Sequence, residues 1–466
     1  MRRFWIWLVL APFLSVLGLS GCELSSNLGG DSGPLQTVFS RQIQPTLNQK
    51  CTSCHGLLSQ EAGLSLASWQ DVFQGSRYGD VVIPFSPARS LLLRMATARV
   101  GGAHPGELAA DTLSQNELQL LREWITDGAP GDDGTVAFED AEDLLYVANQ
   151  EAATVSIIDM TTNVVARVVD LRDHGYSATS KPHHVAVEPD GSYWYVSLIG
   201  ENRIARFDRM NNLSGEFEFE TPGMLAIDPA ADWLYAGRSL SAPNPPASIG
   251  KIRRSDMSGG VISVVFPRPH ALATDPTGAF VYSSSLGQNQ IITYETASED
   301  VTFSPVAGPI HSFVQHVITP DGGTLAATAQ LTNEILFFDL ATPSIPAFSW
   351  SVGANASPWH PVFAPDGLHL YVGNKDANTV TVVSVVNRRV ERIITGDGLS
   401  EPHGSALSPD GSLLYISNRN ASGLYTPRHD LGDNGRDGTV VMIDRITGDI
   451  TKVLEVGPFA AGLGTR

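Results

Sequence analysis

Pro189-Asp190-Gly191-Ser192-Tyr193-Trp194-Tyr195-Val196-Ser197, followed shortly by Arg203-Ile204-Ala205-Arg206-Phe207-Asp208, is the phrase that decides the fold. A tight turn leads into a short apolar strand, and a second strand answers it. The turn, or a close variant, recurs at Pro189, Pro229, Pro276, Pro320, Pro365 and Pro409, roughly 40–47 residues apart. After each comes a strand of the same character: Tyr195-Val196-Ser197, Tyr235-Ala236-Gly237, Tyr282-Ser283-Ser284, Ala326-Ala327-Thr328, Tyr371-Val372-Gly373 and Tyr415-Ile416-Ser417. Tyr146-Val147-Ala148-Asn149 has the same look without the turn before it. Third strands ending in Asp follow at Thr154–Asp159, Arg203–Asp208, Glu334–Asp339 and Thr439–Asp444. Short strands at this period predict an all-β propeller of seven four-stranded blades. The first blade lacks an inner strand on its N-terminal side. The segment Gly457–Leu463 resembles the start of another repeat, so it is expected to supply that strand and close the ring without an open edge.

Ahead of the repeats the chain reads differently. Cys51-Thr52-Ser53-Cys54-His55 has the spacing of a c-type haem attachment site. Two thiols form thioethers with the vinyl groups, and the adjacent imidazole reaches the iron. A zinc site would want a second ligand pair, and the only other cysteine is Cys22. A thioredoxin-like pair would want a strand before the motif and a helix beginning at it. Helical spacing runs from Val38 to Cys51 and over Ser90–Met95. A third helix is expected from Ser114 to Asp127, with Ser114 and Glu117 forming a capping box and Gly128 as the stop.

These residues carry two resemblances. Residues about 143–466 resemble the YVTN-repeat β-propellers. The N-terminal part resembles the haem domains of the Planctomycete-type cytochrome c group: Gln44-Pro45 before the motif, Gly63-Leu64-Ser65-Leu66 after it, Pro84 with Ser90-Leu91-Leu92, and Trp124 to Pro130 at the end. Together they imply a multidomain chain, a small all-α cytochrome c domain followed by the propeller. The expected organisation is a signal peptide at 1–21, a flexible tether at 22–35, the haem domain at 36–131, a linker at 132–142 and the propeller at 143–466.

One covalent haem c is the cofactor expected, held by Cys51, Cys54 and His55. The cytochrome family places Met-Pro-Pro shortly before the last helix, with the Met on iron. This chain has Gly101-Gly102-Ala103-His104-Pro105-Gly106 there. His104 is therefore the expected sixth ligand, a pairing that lowers the potential. Met95, inside an apolar helix, is the alternative, and an open or water-ligated iron is the third possibility.

The propeller histidines recur just before the turns. Counting back six from each turn proline gives His183, His270 and His403 among the matches; counting back five gives His184 and His360; His316 lies one further along. Met224 and Gln315 share the minus-five position. Strand alternation would aim the minus-five set at the channel. Two readings stand together. One is structural, each His bonding the neighbouring blade. The other is a substrate or second-metal site at the propeller mouth, for which imidazole suits copper, zinc or iron.

Residues 1–22 have basic Arg2 and Arg3, an apolar run of about 16 residues, short of the roughly 20 that span a bilayer, and the ending Leu19-Ser20-Gly21-Cys22. This is a secretion signal, and its ending resembles the lipobox of bacterial lipoproteins. The resemblance implies lipid on Cys22, a membrane anchor, and placement in the cell envelope, periplasmic or on the outer surface. The net charge of −19 argues against nucleic acid as a partner and suits a basic redox partner protein. The sequence contains no Gly-x-Ser-x-Gly, Walker or His-Glu-x-x-His motif, and the Arg428–Gly438 insert lacks the spacing of an EF-hand. The expectation is an exported carrier of single electrons with the propeller as a docking or sensing scaffold. It leans away from an enzyme; the alternative is a periplasmic oxidoreductase whose substrate or metal sits at the His-rich mouth.

Overall fold

The computed structural model describes residues 39–97, 113–239, 246–341, 346–429 and 435–466. Within them the repeats build seven four-stranded antiparallel sheets. Blade 1 orders Ala460–Thr465, Leu144–Asn149, Thr154–Asp159 and Val164–Asp170 from the inside outward, so the C-terminal strand completes the first blade as expected. The inner strands of blades 2 to 7 are Pro182–Val187, Pro222–Ile227, Pro269–Thr274, Phe313–Ile318, Pro358–Phe363 and Pro402–Leu407. The recurring Tyr-Val phrases form the second strand of each blade, buried on both faces, which is why they read as unbroken apolar runs.

Each inner strand shares one irregularity. Pairing with the second strand slips between its first residue and its third or fourth, as at Pro182/Val185, Pro222/Leu225, Pro269/Ala271, Phe313/His316, Pro358/Pro361 and Pro402/Ser405. A bulge re-aims the side chains it contains. Strict alternation therefore does not govern the second and third residues of these strands, where all the histidines but His316 stand; His316 is the fourth of its strand and pairs with Ala327.

The N-terminal region is helical around its own core of Phe39, Leu47, Val72, Leu93, Leu121, Trp124 and neighbours. A π-helical turn, Phe39–Ile43, leads into α1, Gln44–Lys50. Then come α2, Trp69–Gln74, α3, Leu91–Thr97, and α4, Gln115–Thr126. The capping box on α4 is present: the Glu117 N–H donates to Ser114 Oγ at 3.3 Å, and the Ser114 N–H donates to Glu117 Oε2 at 2.6 Å. The sequence reading missed α2, whose N-cap Ser68 accepts the Asp71 N–H at 3.1 Å. Residues 132–142 pack Ala137 and Phe138 onto the same core.

This region lies against the propeller's flank. Ile83 enters the apolar cluster of blades 7 and 1 beside Val165, Leu454 and Val456, residues of the two outermost strands Val164–Asp170 and Ile450–Val456. Asp80 accepts the Val165 N–H at 3.2 Å, and Arg167 donates to the Ala137 carbonyl at 2.8 Å. Burial raises the Asp80 carboxyl to about 6, against the pull of the Val165 N–H, Lys452 and His429. A folded value above the unfolded one costs stability once the pH exceeds it. Asp80→Asn keeps an acceptor for Val165 and removes the buried charge, at the expense of Lys452's partner. We expect it to stabilise the protein by ~1–2 kcal/mol near neutral pH and to have no effect at acid pH, where Asp80 is already protonated. Urea unfolding at the two pH values measures this; equal effects at both would refute the assignment.

Candidate functional sites

The Cys-x-x-Cys-His motif forms one further helical turn after α1. The Cys54 and His55 N–H groups both donate to the Cys51 carbonyl, at 3.2 and 2.9 Å. Side chains three and four apart share a helix face, so Cys51, Cys54 and His55 are grouped by local geometry alone. The chain then doubles back. Gly56 N–H donates to the Ser59 carbonyl at 2.8 Å, and Leu66 N–H donates to the His55 carbonyl at 2.7 Å. A side chain at Gly56 would collide with the Thr52 carbonyl oxygen, so the fold-back requires glycine.

Both thiols are free; Cys51 is half-buried and Cys54 exposed. Burial pushes the Cys51 thiol up to about 11, so it stands as a thiol. Directly after the motif Leu57 and Leu58 are 75% and 104% exposed. Two adjacent unpacked leucines are unusual on a soluble surface. Two free thiols, an adjacent imidazole and uncovered apolar side chains are the chemistry a covalently held porphyrin needs, so these residues fit haem c. Met95 lies half-buried on α3. His104 and Cys22 fall outside the described residues.

The propeller histidines converge. His183, His270, His316, His360 and His403 are all buried, and His184 is half-buried. Three of their four ring contacts join blades that are not neighbours. His183 of blade 2 meets His270 of blade 4 and His403 of blade 7, at centroid distances of 5.9 and 5.5 Å. His184 of blade 2 meets His360 of blade 6 at 6.0 Å, and His360 meets His403 at 4.6 Å. The bulges let neighbours His183 and His184 both join. Met224 does not: it packs in the core between blades 3 and 4.

Four of the six bond the blade beside them. His183 Nδ1 lies 3.0 Å from Gln150 Oε1, and His270 Nδ1 lies 2.7 Å from the Val314 carbonyl. His316 Nε2 lies 2.8 Å from Ser284 Oγ, and His184 Nδ1 accepts the Leu225 N–H at 3.4 Å. His360 and His403 have no such bond; His360 Nε2 and both His403 nitrogens are buried without a partner. Burial lowers every one of these imidazoles, to about 4 for His270 and about 3 for His316, and well below the usual value for His183, His360 and His403, where neighbouring imidazoles add to it. They are neutral at physiological pH. Among the described residues no three His, Cys, Asp or Glu side chains stand where they could hold a metal ion.

The sequence reading gave no role to Trp359, which shares the minus-six position, and overlooked Arg419 at the same mouth. Trp359 packs on His403 at 4.5 Å. Arg419 lies over the Trp359 ring at 5.5 Å and the Phe459 ring at 4.1 Å. The signal was available. Arg419 follows the second strand of blade 7 as Lys375 follows that of blade 6, and these are the two cations at that repeat position.

Comparison with known proteins agrees with this architecture. Residues 51–103 match the Planctomycete cytochrome C family, and residues 310–434 match the family Lactonase, 7-bladed beta-propeller. No curated protein matches the chain. Among solved structures, the periplasmic gluconolactonase PpgL of Pseudomonas aeruginosa superposes with a TM-score of 0.55 at 16% identity, over 69% of this chain and 98% of that one. Hydrazine synthase of Kuenenia stuttgartiensis gives 0.47 at 21% identity, over 57% and 78%. A streptogramin B lyase gives 0.49 at 13%, over 60% and 92%. At such identities the first likeness speaks for the propeller fold alone.

Proposed function

We propose that this chain is an exported haem c protein that carries single electrons, tethered to a membrane through lipid on Cys22, with the propeller as a docking or sensing scaffold. The observation that carries the reading is the turn presenting Cys51, Cys54 and His55 together beside the exposed Leu57 and Leu58. Bound haem supplies a one-electron iron couple. The protein's part is to hold it: the two thiols anchor the porphyrin, His55 is oriented by the bonds of its backbone to Cys51 and Leu66, and the leucines exclude water. His104 is the sixth ligand we favour, with Met95 as the alternative. The secretion signal and a haem added outside the cytoplasm both argue for the cell envelope, and the net charge of −19 suits a basic redox partner.

The packing of the helical region on outermost strands favours this over an oxidoreductase with a second centre on the channel axis. Three inter-strand spacings, roughly 14 Å at about 4.8 Å each, separate an outermost strand from an innermost one. A centre on the axis would lie at least that far from Ile83 and Asp80, the residues that seat the helical region.

Full-length protein made with a c-type maturation system tests the proposal. We expect one haem per chain by pyridine haemochrome spectrum, retained through acid–acetone extraction, and colourless protein from the Cys51→Ala, Cys54→Ala double variant. Pigment that extracts freely from the unaltered chain refutes it. A low-spin EPR signal lost in His104→Ala and kept in Met95→Ala supports His104; the reverse pattern assigns Met95.

A further inference from the structure

The channel mouth holds hydrogen-bonding groups that the fold leaves unused, and they are of complementary kinds. Arg419 is clamped over two ring faces from different blades, Trp359 of blade 6 and Phe459 at the start of the inner strand of blade 1. Its Nε is buried and has no acceptor. Stacking fixes the plane of a guanidinium, which suits it to planar, two-pronged recognition of an oxyanion. The Trp359 Nε1–H, which can only donate, is likewise buried without an acceptor.

The carboxylates that feel the charge of Arg419 are Glu401, Glu151 and Asp376. Each is engaged elsewhere. Glu401 accepts the Ser422 N–H at 3.0 Å, Glu151 pairs with Arg436 at 3.0 Å, and Asp376 pairs with Lys375 at 3.0 Å. A buried donor without an acceptor is costly, and two beside one another at a channel entrance call for a common acceptor.

Next to these donors stand acceptors. An amide oxygen only accepts, so His183 Nδ1 carries the hydrogen toward Gln150 Oε1. That leaves His183 Nε2 a lone pair, buried and without a donor. His403 lies between, touching both the Trp359 and the His183 rings. Trp359 and Arg419 are half-buried while His183 and His403 are buried, so donors face the entrance and imidazoles lie deeper.

The geometry points to a binding site for a small 2-hydroxycarboxylate at the propeller mouth, its carboxylate on Arg419 and the Trp359 N–H and its hydroxyl donating to the His183 imidazole. The site is separate from the haem-bearing turn and does not depend on it.

Calorimetric titration of the full chain with lactate, acetate and nitrate tests this. Lactate is expected to bind saturably and at least ~10-fold more tightly than acetate, because only lactate satisfies the His183 lone pair, one charge-assisted or buried hydrogen bond being worth roughly that factor. Arg419→Gln should weaken lactate at least ~10-fold, and Trp359→Phe, which keeps the stacked ring and loses the N–H, by ~3–10-fold. His183→Phe should bring lactate down to acetate's affinity. A melting temperature unchanged in Arg419→Lys, with lactate binding partly kept, excludes misfolding as the cause. No saturable binding, equal binding of nitrate and lactate, or full affinity in Arg419→Gln each overturns the assignment. So does a second stoichiometric transition metal in the purified protein that is lost in the His183 and His403 variants.

Discussion

Acidification is expected to unfold this propeller steeply between neutrality and about pH 5. His183, His270, His316, His360 and His403 are buried and neutral, each with its imidazole lowered from the usual value. In the unfolded chain each takes up a proton near pH 6.5. The unfolded state then binds more protons than the folded one, so stability is full above about 6.5 and is lost as the pH falls toward the folded values. Each such group contributes a slope of at most about 1.4 kcal/mol per pH unit, and five together at most ~7 kcal/mol per pH unit. His184, lowered to about 3 by burial and by His270, adds to the same effect. Asp80 works the other way, its raised carboxyl favouring the folded state below about 6, but it is one group against five. For a domain of this size the loss lowers the melting temperature by more than ~10 °C between pH 7.5 and 5.5. His403→Gln should reduce the slope by about one group's share. A melting temperature flat across this range, or a slope unchanged in His403→Gln, would show that the imidazoles are already solvated or protonated in the folded state.

The same histidines show where sequence reasoning ends. Their recurrence before five of the six turns was legible because the repeat supplies its own alignment, and the blade-to-blade bonds of His183, His270 and His316 are what a structural reading asks of them. Their meeting across the axis was not legible. Alternation puts successive residues on opposite faces, and only the slip in pairing near the start of each inner strand brings His183 and His184 into one channel. Bulges of this kind leave no compositional mark. Arg419 was overlooked for a related reason: its partners, Trp359 and Phe459, lie far from it in sequence, and nothing local reports that its Nε is buried.

The helical region divides along the same line. The capping box on α4 and the haem-type motif are local and were read directly. The six residues of α2 are too few to show a period. That the region rests on the outer strands of blades 7 and 1 through Ile83 and Asp80 follows from surface complementarity, which a single sequence does not display. The functional weight of that placement is considerable. It ties the region that presents Cys51, Cys54 and His55 to the propeller's flank. The proposed electron transfer and ligand recognition would then belong to one particle.

Deleting residues 460–466 is expected to be the most damaging change of all. Those residues are the inner strand of blade 1, pairing Leu145 with Thr465, Tyr146 with Gly464 and Val147 with Leu463. Without them Leu144–Asn149 becomes an open edge with its unpaired backbone groups turned to the channel, and Leu145 and Val147, buried in the closed ring beside Ala460 and Leu463, lose part of their cover. An open apolar edge templates aggregation. The strand also carries the contact to blade 2: a side chain on Gly462 would come within 2.6 Å of the His183 carbonyl oxygen, and one on Gly464 within 2.7 Å of the Val185 carbonyl oxygen. The two backbones approach as closely as glycine allows. Arg466 ties the end down by donating to the Glu142 carbonyl at 2.8 Å. The truncated chain should be recovered mainly as aggregate. Gly464→Val keeps the strand but forces blades 1 and 2 apart, and should cost about 3 kcal/mol or more, above ordinary overpacking because the obstacle is backbone. Arg466→Ala, which touches only the end, should cost under ~1 kcal/mol. Soluble, cooperatively unfolding protein from the truncation, or equal melting temperatures for Gly464→Val and the unaltered chain, would mean that the ring does not depend on its last strand for closure.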